Sequence, residues 1–190
     1  MVAYVNKSFS LGLIVVLGLF VVSSYARLSM MVTKDEIHAI CTKKGVNSSL
    51  CFEILKPTRE ISTLDLSGLI KFLINYESRN VSDTLNQLKL FAENTTSTDY
   101  RSTYRECVEL YEMAVDDFDT SLKALAAKDY DGLNLGIGAL MTDMTTCEDD
   151  LVTIKPLPQF FITRGILVKQ LSNISLVILE CFLREKKKLC

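Results

Sequence analysis

The chain has 190 residues, 48% of them apolar, and 21 basic against 23 acidic side chains give it a formal net charge of -2. That balance excludes the basic footprint of a nucleic-acid binder. With 8 Gly and 3 Pro there is no low-complexity linker and no repeat of solenoid length, so one domain is expected.

Residues 1–26 read as a removable secretory signal. Lys7 supplies a positive start, Leu11 to Val22 is an apolar run, and Ser24-Tyr25-Ala26 places small residues at the cleavage spacing. The run is shorter than the roughly 20 residues a membrane span needs, and no later stretch reads as both long and free of charge. The mature chain, 27–190, is therefore expected to be soluble and away from membranes.

A small helical unit comes first, over about 34–57. Asp35 to Cys41 is a short helical piece ending near Gly45, and Asn47 or Ser48 caps a second piece that stops before Pro57. From Asp65, a plausible N-cap, apolar residues recur at steps of three and four, the period of a helix with one buried face. The first long helix presents Leu66, Leu69, Ile70, Leu73, Val81, Leu85, Leu88 and Ala92, and ends in the polar Asn94 to Thr98. The second carries Tyr104, Cys107, Val108, Tyr111, Val115, Phe118, Leu122 and Leu125, and closes at Lys128-Asp129-Tyr130-Asp131-Gly132, where the Asp-Gly pair marks a turn.

The third long helix carries Leu133, Ile137, Leu140, Met144, Cys147 and Leu151 and is stopped by Lys155-Pro156-Leu157-Pro158. The fourth runs from Gln159 to Lys188 with Leu167, Leu171, Ile174, Ile178 and Cys181 inward; its Lys186 to Lys188 end suits the negative pole of the helix. Short loops cannot cross back along helices about 35 Å long. The predicted fold is all-α: an up-down-up-down four-helix bundle, about 64–188, with an N-terminal helical hairpin.

All six cysteines follow the signal: Cys41, Cys51, Cys107, Cys147, Cys181 and Cys190. An even number behind a secretory signal reads as disulfides, although spacing leaves many pairings open. Cys41 and Cys51 flank the Gly45 turn, so a bridge there staples the hairpin. Cys107 lies about 21 residues before the turn near 128–132 and Cys147 about 15 after it, roughly 32 Å and 23 Å along adjacent axes, a gap that needs helix stagger to close. Cys181 and Cys190 pair, stay free or link two chains; an unbroken helix would hold them about 13 Å apart. A monomer is expected, with a disulfide-linked dimer as the alternative. Candidate N-glycosylation sites are Asn47, Asn80, Asn94 and Asn173, each in an Asn-x-Ser/Thr sequon.

No residue set points to catalysis. His38 is the only histidine, which excludes a multi-histidine zinc site, and a Cys41–His38 pair lacks both a third group and, once oxidised, a thiol. His38, Ser82 and Asp83 contain the residue types of a hydrolase triad without any motif to place them. Asp116-Asp117 and Glu148-Asp149-Asp150 are consecutive on helices, point in different directions and lack an EF-hand loop, so they read as solvated faces. No cofactor or metal is expected.

Four local patterns, in order behind a signal, resemble the plant invertase and pectin methylesterase inhibitor family: Ile37 to Thr42 followed by Cys51, Tyr104 to Tyr111 around Cys107, Ala127-Lys128-Asp129-Tyr130, and Met144 to Asp149 around Cys147. The resemblance implies bonds Cys41–Cys51 and Cys107–Cys147, a bundle with a protruding hairpin, and inhibition without catalysis. Two features depart from the pattern: Lys43 to Ser49 stands where relatives often carry threonine and proline, and Cys181 with Cys190 lies outside the four-cysteine set.

The family inhibits either pectin methylesterase or acid invertase. Invertase inhibitors carry a Pro-Lys-Phe segment in the turn between the second and third bundle helices; here that turn has neither proline nor phenylalanine, and Pro158-Gln159-Phe160 lies in another loop. The resemblance therefore implies a secreted, apoplastic inhibitor of pectin methylesterase acting by one-to-one occlusion, with a cell-wall or vacuolar invertase as the alternative target. Glu109, Glu112, Asp116 and Asp143 are the candidate partner-binding residues. A reading of another class is a secreted helical signalling or apolar-ligand-binding protein.

Overall fold

The computed structural model describes residues 31–184; the signal segment, Lys186 to Lys188 and Cys190 lie outside the described residues. Those described are helical throughout, with no strand among them. The hairpin consists of α1 (Lys34–Cys41) and α2 (Ser48–Ile54), and a 3-10 turn over Ile61–Thr63 leads into the bundle. The bundle is α3 (Leu66–Asn94), α4 (Thr98–Ala127), α5 (Tyr130–Leu151) and α6 (Gln159–Val177), the last continuing as a π-helix over Ile178–Leu183.

The starts of α1 to α5 are each set locally by a side-chain oxygen that accepts an otherwise orphaned backbone N–H, whereas α6 starts behind Pro158 with no side-chain cap. Thr33 and Glu36 form a reciprocal capping box at α1. Asp65 accepts from Gly68 N at 2.6 Å and Ser97 from Tyr100 N at 3.4 Å. Asp129 accepts from Gly132 N at 2.9 Å, which moves the α4–α5 turn from its expected place. Only Lys128, in the left-handed conformation at φ 56°, and Asp129 separate the two helices. Asp131 and Gly132 lie in the first turn of α5 rather than in a loop. A Cβ at Gly132 would come 2.4 Å from Asp129 Oδ2, so a larger residue there would push the capping carboxylate aside.

Helices adjacent in sequence pack side by side, and α3 closes the ring against α6. The inward stripes predicted for α3 and α5 are buried, apart from Leu66, which is half-buried; Val108, Val115 and Leu122 of α4 and Leu167 of α6 are half-buried at the margins. The fourth helix differs from expectation in two ways. Its α-helical part stops at Val177 and gives way to the π-helix, whose end is marked by Arg184 N donating to Leu179 O. It is also buried on more sides than one seam requires, with Phe161, Ile162, Gly165, Val168, Ser172 and Ser175 all enclosed. Gln159–Leu183 is thus long and apolar enough, by length and composition, to cross a membrane, contrary to the reading that no later stretch qualifies. Here its apolar sides pack against α3 and α5.

The hairpin does not stand away from the bundle. Asn173 Nδ2 on α6 donates to Gly45 O at 2.8 Å, and Asn47 Nδ2 donates to Gln170 Oε1 at 3.3 Å, so its turn is laid along α6. Gly45 takes φ 88°, which L side chains rarely adopt.

Candidate partner-binding surface

Among the described helices, α4 and α5 form the most extensively packed pair. Gly136 of α5 faces Ser121 of α4 so closely that a Cβ would lie 2.4 Å from Ser121 Oγ. Farther along, Cys107 and Cys147 are bonded with Cα atoms 4.9 Å apart. The short turn explains how they meet: Cys107 precedes Lys128 by 21 residues and Cys147 follows Asp129 by 18, leaving a mismatch of only about 4.5 Å along the axes. Cys41 and Cys51 are bonded within the hairpin, with Cα atoms 5.4 Å apart. The pairing of Cys181 with Cys190 involves a residue outside those described.

On this frame the four candidate acidic residues do not form one cluster. Glu109 and Asp116, both exposed and seven residues apart, share the outward line of α4. Glu112 turns toward α3, where its Oε1 lies 2.7 Å from Lys89 Nζ. Asp143 sits on α5 against Asp117 of α4, hydrogen-bonded across the seam. Burial, then the charge of Asp117, raises the Asp143 carboxyl to about 6. Asp117 is also raised, by burial first and then by Asp116. At mildly acidic pH Asp143 is the donor and Asp117 the acceptor of one shared proton.

The remaining acidic groups separate as helix geometry requires. Glu148 pairs with Lys169 of α6, while Asp149 is exposed and Asp150 half-buried. Among the described residues, no three His, Cys, Asp or Glu side chains are grouped as metal ligands. His38 is exposed on α1 with its ring 5.8 Å from that of Phe52, and its neighbour Cys41 is in a disulfide. Ser82 and Asp83 are adjacent on α3, a different element.

One polar group escaped the sequence reading. Glu77 of α3 is 2% exposed in the core and accepts a hydrogen bond from Ser172 Oγ of α6 at 2.6 Å. Burial pushes its carboxyl up to about 8 against the opposing pull of the Ser172 and Ser175 hydroxyls. Glu77 falls at a helical step between Leu73 and Val81, the one signal in the sequence that this carboxyl faces inward.

The described residues form a disulfide-clamped helical bundle with a second disulfide in its N-terminal hairpin. The family model described as plant invertase/pectin methylesterase inhibitor matches residues 35–178. Pectinesterase inhibitor 1 of Arabidopsis thaliana is 27% identical over 160 residues, covering 84% of this chain and 86% of the relative; pectinesterase inhibitor 2 of the same plant is 28% identical over 120 residues, covering 63% and 69%. A crystal structure of a mutant form of an Arabidopsis pectin methylesterase inhibitor superposes with a TM-score of 0.70 at 26% identity, over 76% of this chain and 95% of that one. A second pectin methylesterase inhibitor structure from Arabidopsis thaliana gives 0.61 at 25% identity, over 78% and 97%. The chain belongs to the plant invertase/pectin methylesterase inhibitor family, a family of inhibitors rather than enzymes.

Proposed function

We propose that the protein is a secreted inhibitor of pectin methylesterase that covers the substrate cleft in a one-to-one, non-covalent complex. The observation that carries this is the form of the α4–α5 edge. Two bonded helices present an exposed acidic pair, Glu109 and Asp116, on the outward line of α4, and are joined by a two-residue turn that has no projecting loop and no proline or phenylalanine. A rigid helical face suits occlusion of a long polysaccharide cleft. Insertion of a loop into a small sugar pocket asks for a different shape. The relatives named as pectinesterase inhibitors lend independent support.

Blocking requires no covalent step. An interface of roughly 1,600 Å² in total suffices for a stable complex, and a face already held by the Cys107–Cys147 bond loses little freedom on docking. The complex belongs in the cell wall, where the proposed secretory signal delivers the chain.

Purified, disulfide-bonded mature protein titrated against a pectin methylesterase and an acid invertase tests the reading, with stoichiometry read by light scattering. Inhibition of the esterase saturating at one inhibitor per enzyme, with invertase unaffected, is expected. Inhibition of invertase alone, or of neither enzyme, overturns it.

A further inference from the structure

Four sequons compete for N-linked glycan, and the fold treats them unequally. Asn80 is half-buried in α3: its Nδ2 donates to Tyr76 O at 2.9 Å and its Oδ1 accepts from Arg164 Nη1 of α6 at 2.6 Å. A glycan there has to pass between two bundle helices. Asn173 is half-buried against the hairpin through its bond to Gly45 O, so a glycan there displaces the hairpin. Asn47 caps α2 through Leu50 N at 3.2 Å while its Nδ2 reaches Gln170. Asn94 differs: it is the exposed last residue of α3, and its Nδ2 donates to Leu90 O at 2.7 Å within its own helix. Thr95 beyond it is extended, at φ -71° and ψ 136°.

Asn94 also forms part of the wall of a concavity of about 430 Å³ between the end of α3 and the start of α4, with Gln87, Leu90, Phe91, Thr95, Tyr100 and Tyr104. Leu90 is 50% and Phe91 49% exposed, an apolar surface that no described element covers. Phe91 is nonetheless held in place, with its ring 5.7 Å from that of Tyr104 and 5.1 Å from that of Phe161. The volume lies in the small-ligand range of about 300–1,000 Å³. Apolar side walls with an amide and hydroxyls at the edge match a sugar ring, which has C–H faces and polar edges.

We infer that Asn94 carries an N-linked glycan whose first N-acetylglucosamine seats on Leu90 and Phe91 in this concavity. The inference rests on the proposed secretory route. Transfer forms a bond from Asn94 Nδ2 to the anomeric carbon and releases one amide proton. The same carbon's bond to an oxygen of the lipid diphosphate breaks, the lipid diphosphate leaves with the electron pair, and the amide proton passes to solvent. The amide's second N–H remains available for Leu90 O. Because the sugar is tethered to the wall of its own seat, its effective concentration there is high and weak contacts suffice.

The test expresses the full chain in plant cells, once with its own N-terminus and once behind a replacement secretion signal, and maps glycopeptides of the folded, secreted protein by mass spectrometry. Asn94 occupied and Asn80 empty is expected; Asn94 empty behind the replacement signal overturns the inference. Secretion behind the replacement signal only counts against the native signal, while occupancy at Asn94 still decides the site. The seat is tested by trimming the glycan to one sugar and comparing melting with Thr96→Ala, which removes the sequon. The single sugar is expected to raise Tm by about 2–4 °C and to lose that gain in Leu90→Ser. Equal melting of the trimmed and T96A proteins, or a gain unchanged in L90S, overturns the seat.

Discussion

Asp143 of α5 lies hydrogen-bonded to Asp117 of α4, and the two carboxyls bridge the seam of the helix pair proposed to meet the target. In the unfolded chain Asp143 ionises near pH 3.9, whereas in the fold it does so at about 6. Its contribution to stability is therefore complete below about pH 4 and is lost as pH rises through 6; solvent screening keeps it under about 1 kcal/mol. Above that pH the seam carries two negative charges rather than one. Asp143→Asn keeps a donor toward Asp117 at every pH. Esterase inhibition by the wild-type protein is expected to change between pH 5 and 7, and the D143N profile to be flat; matching profiles contradict this.

Glu77 makes a larger and purely structural prediction. Its carboxyl is neutral in the fold up to about pH 8 but ionises near pH 4.3 when unfolded. Stability due to the neutral group is complete below the lower value and lost as pH rises through the upper one, with a ceiling of about 5 kcal/mol. Glu77→Gln preserves a partner for Ser172 without ionising. Urea melts at pH 5, 7 and 9 are expected to show falling stability for the wild-type protein and a nearly level series for E77Q.

The outward acidic line predicts a graded effect on inhibition. Neutralising Glu109 and Asp116 together is expected to weaken esterase binding at least tenfold, mainly through a slower on-rate that added salt suppresses. Glu112→Gln is expected to change it far less, because Lys89 already balances that charge. Stopped-flow association at two ionic strengths separates the cases. An effect of Glu112→Gln equal to that of the double neutralisation counts against the assigned face.

At the other end of the same helix pair, Gly136→Ala is expected to cost about 1–3 kcal/mol, since the new methyl meets Ser121 Oγ. Ser121→Gly in the same protein is expected to restore most of the loss. Thermal melts of the single and double variants check this coupling.

Removing the Cys107–Cys147 bond as a pair of serines is expected to cost about 4 kcal/mol on the loop-entropy estimate, against about 2–3 kcal/mol for Cys41–Cys51, because it closes a span of 40 residues rather than 10. Denaturant unfolding of the two double variants ranks them. A larger loss at the hairpin reverses the expected order.

Much of the molecule is legible in one dimension. Apolar steps of three and four place the seams of α3, α4 and α5, because burial of a helix face repeats along its own chain. Asp65 is legible as a cap, and the α2 cap is legible to within Asn47 or Ser48, because a cap and the N–H it satisfies lie within three residues; the structure chooses Asn47. The residue patterns around Cys41, Cys107 and Cys147 carry the family resemblance for the same reason: each is a short local motif.

What the tertiary structure alone decided depends on register and rotation between helices. Shortening the turn to Lys128 and Asp129 brought Cys107 level with Cys147, and the rotation of α4 sent Glu112 toward Lys89 while turning Asp117 onto Asp143. The same packing enclosed Glu77 against Ser172, laid the hairpin along α6, and left Asn94 at an open concavity while Asn80 was drawn between helices. Such contacts join residues tens of positions apart. No local period encodes them, because they arise only when separate helical faces are brought together to exclude water.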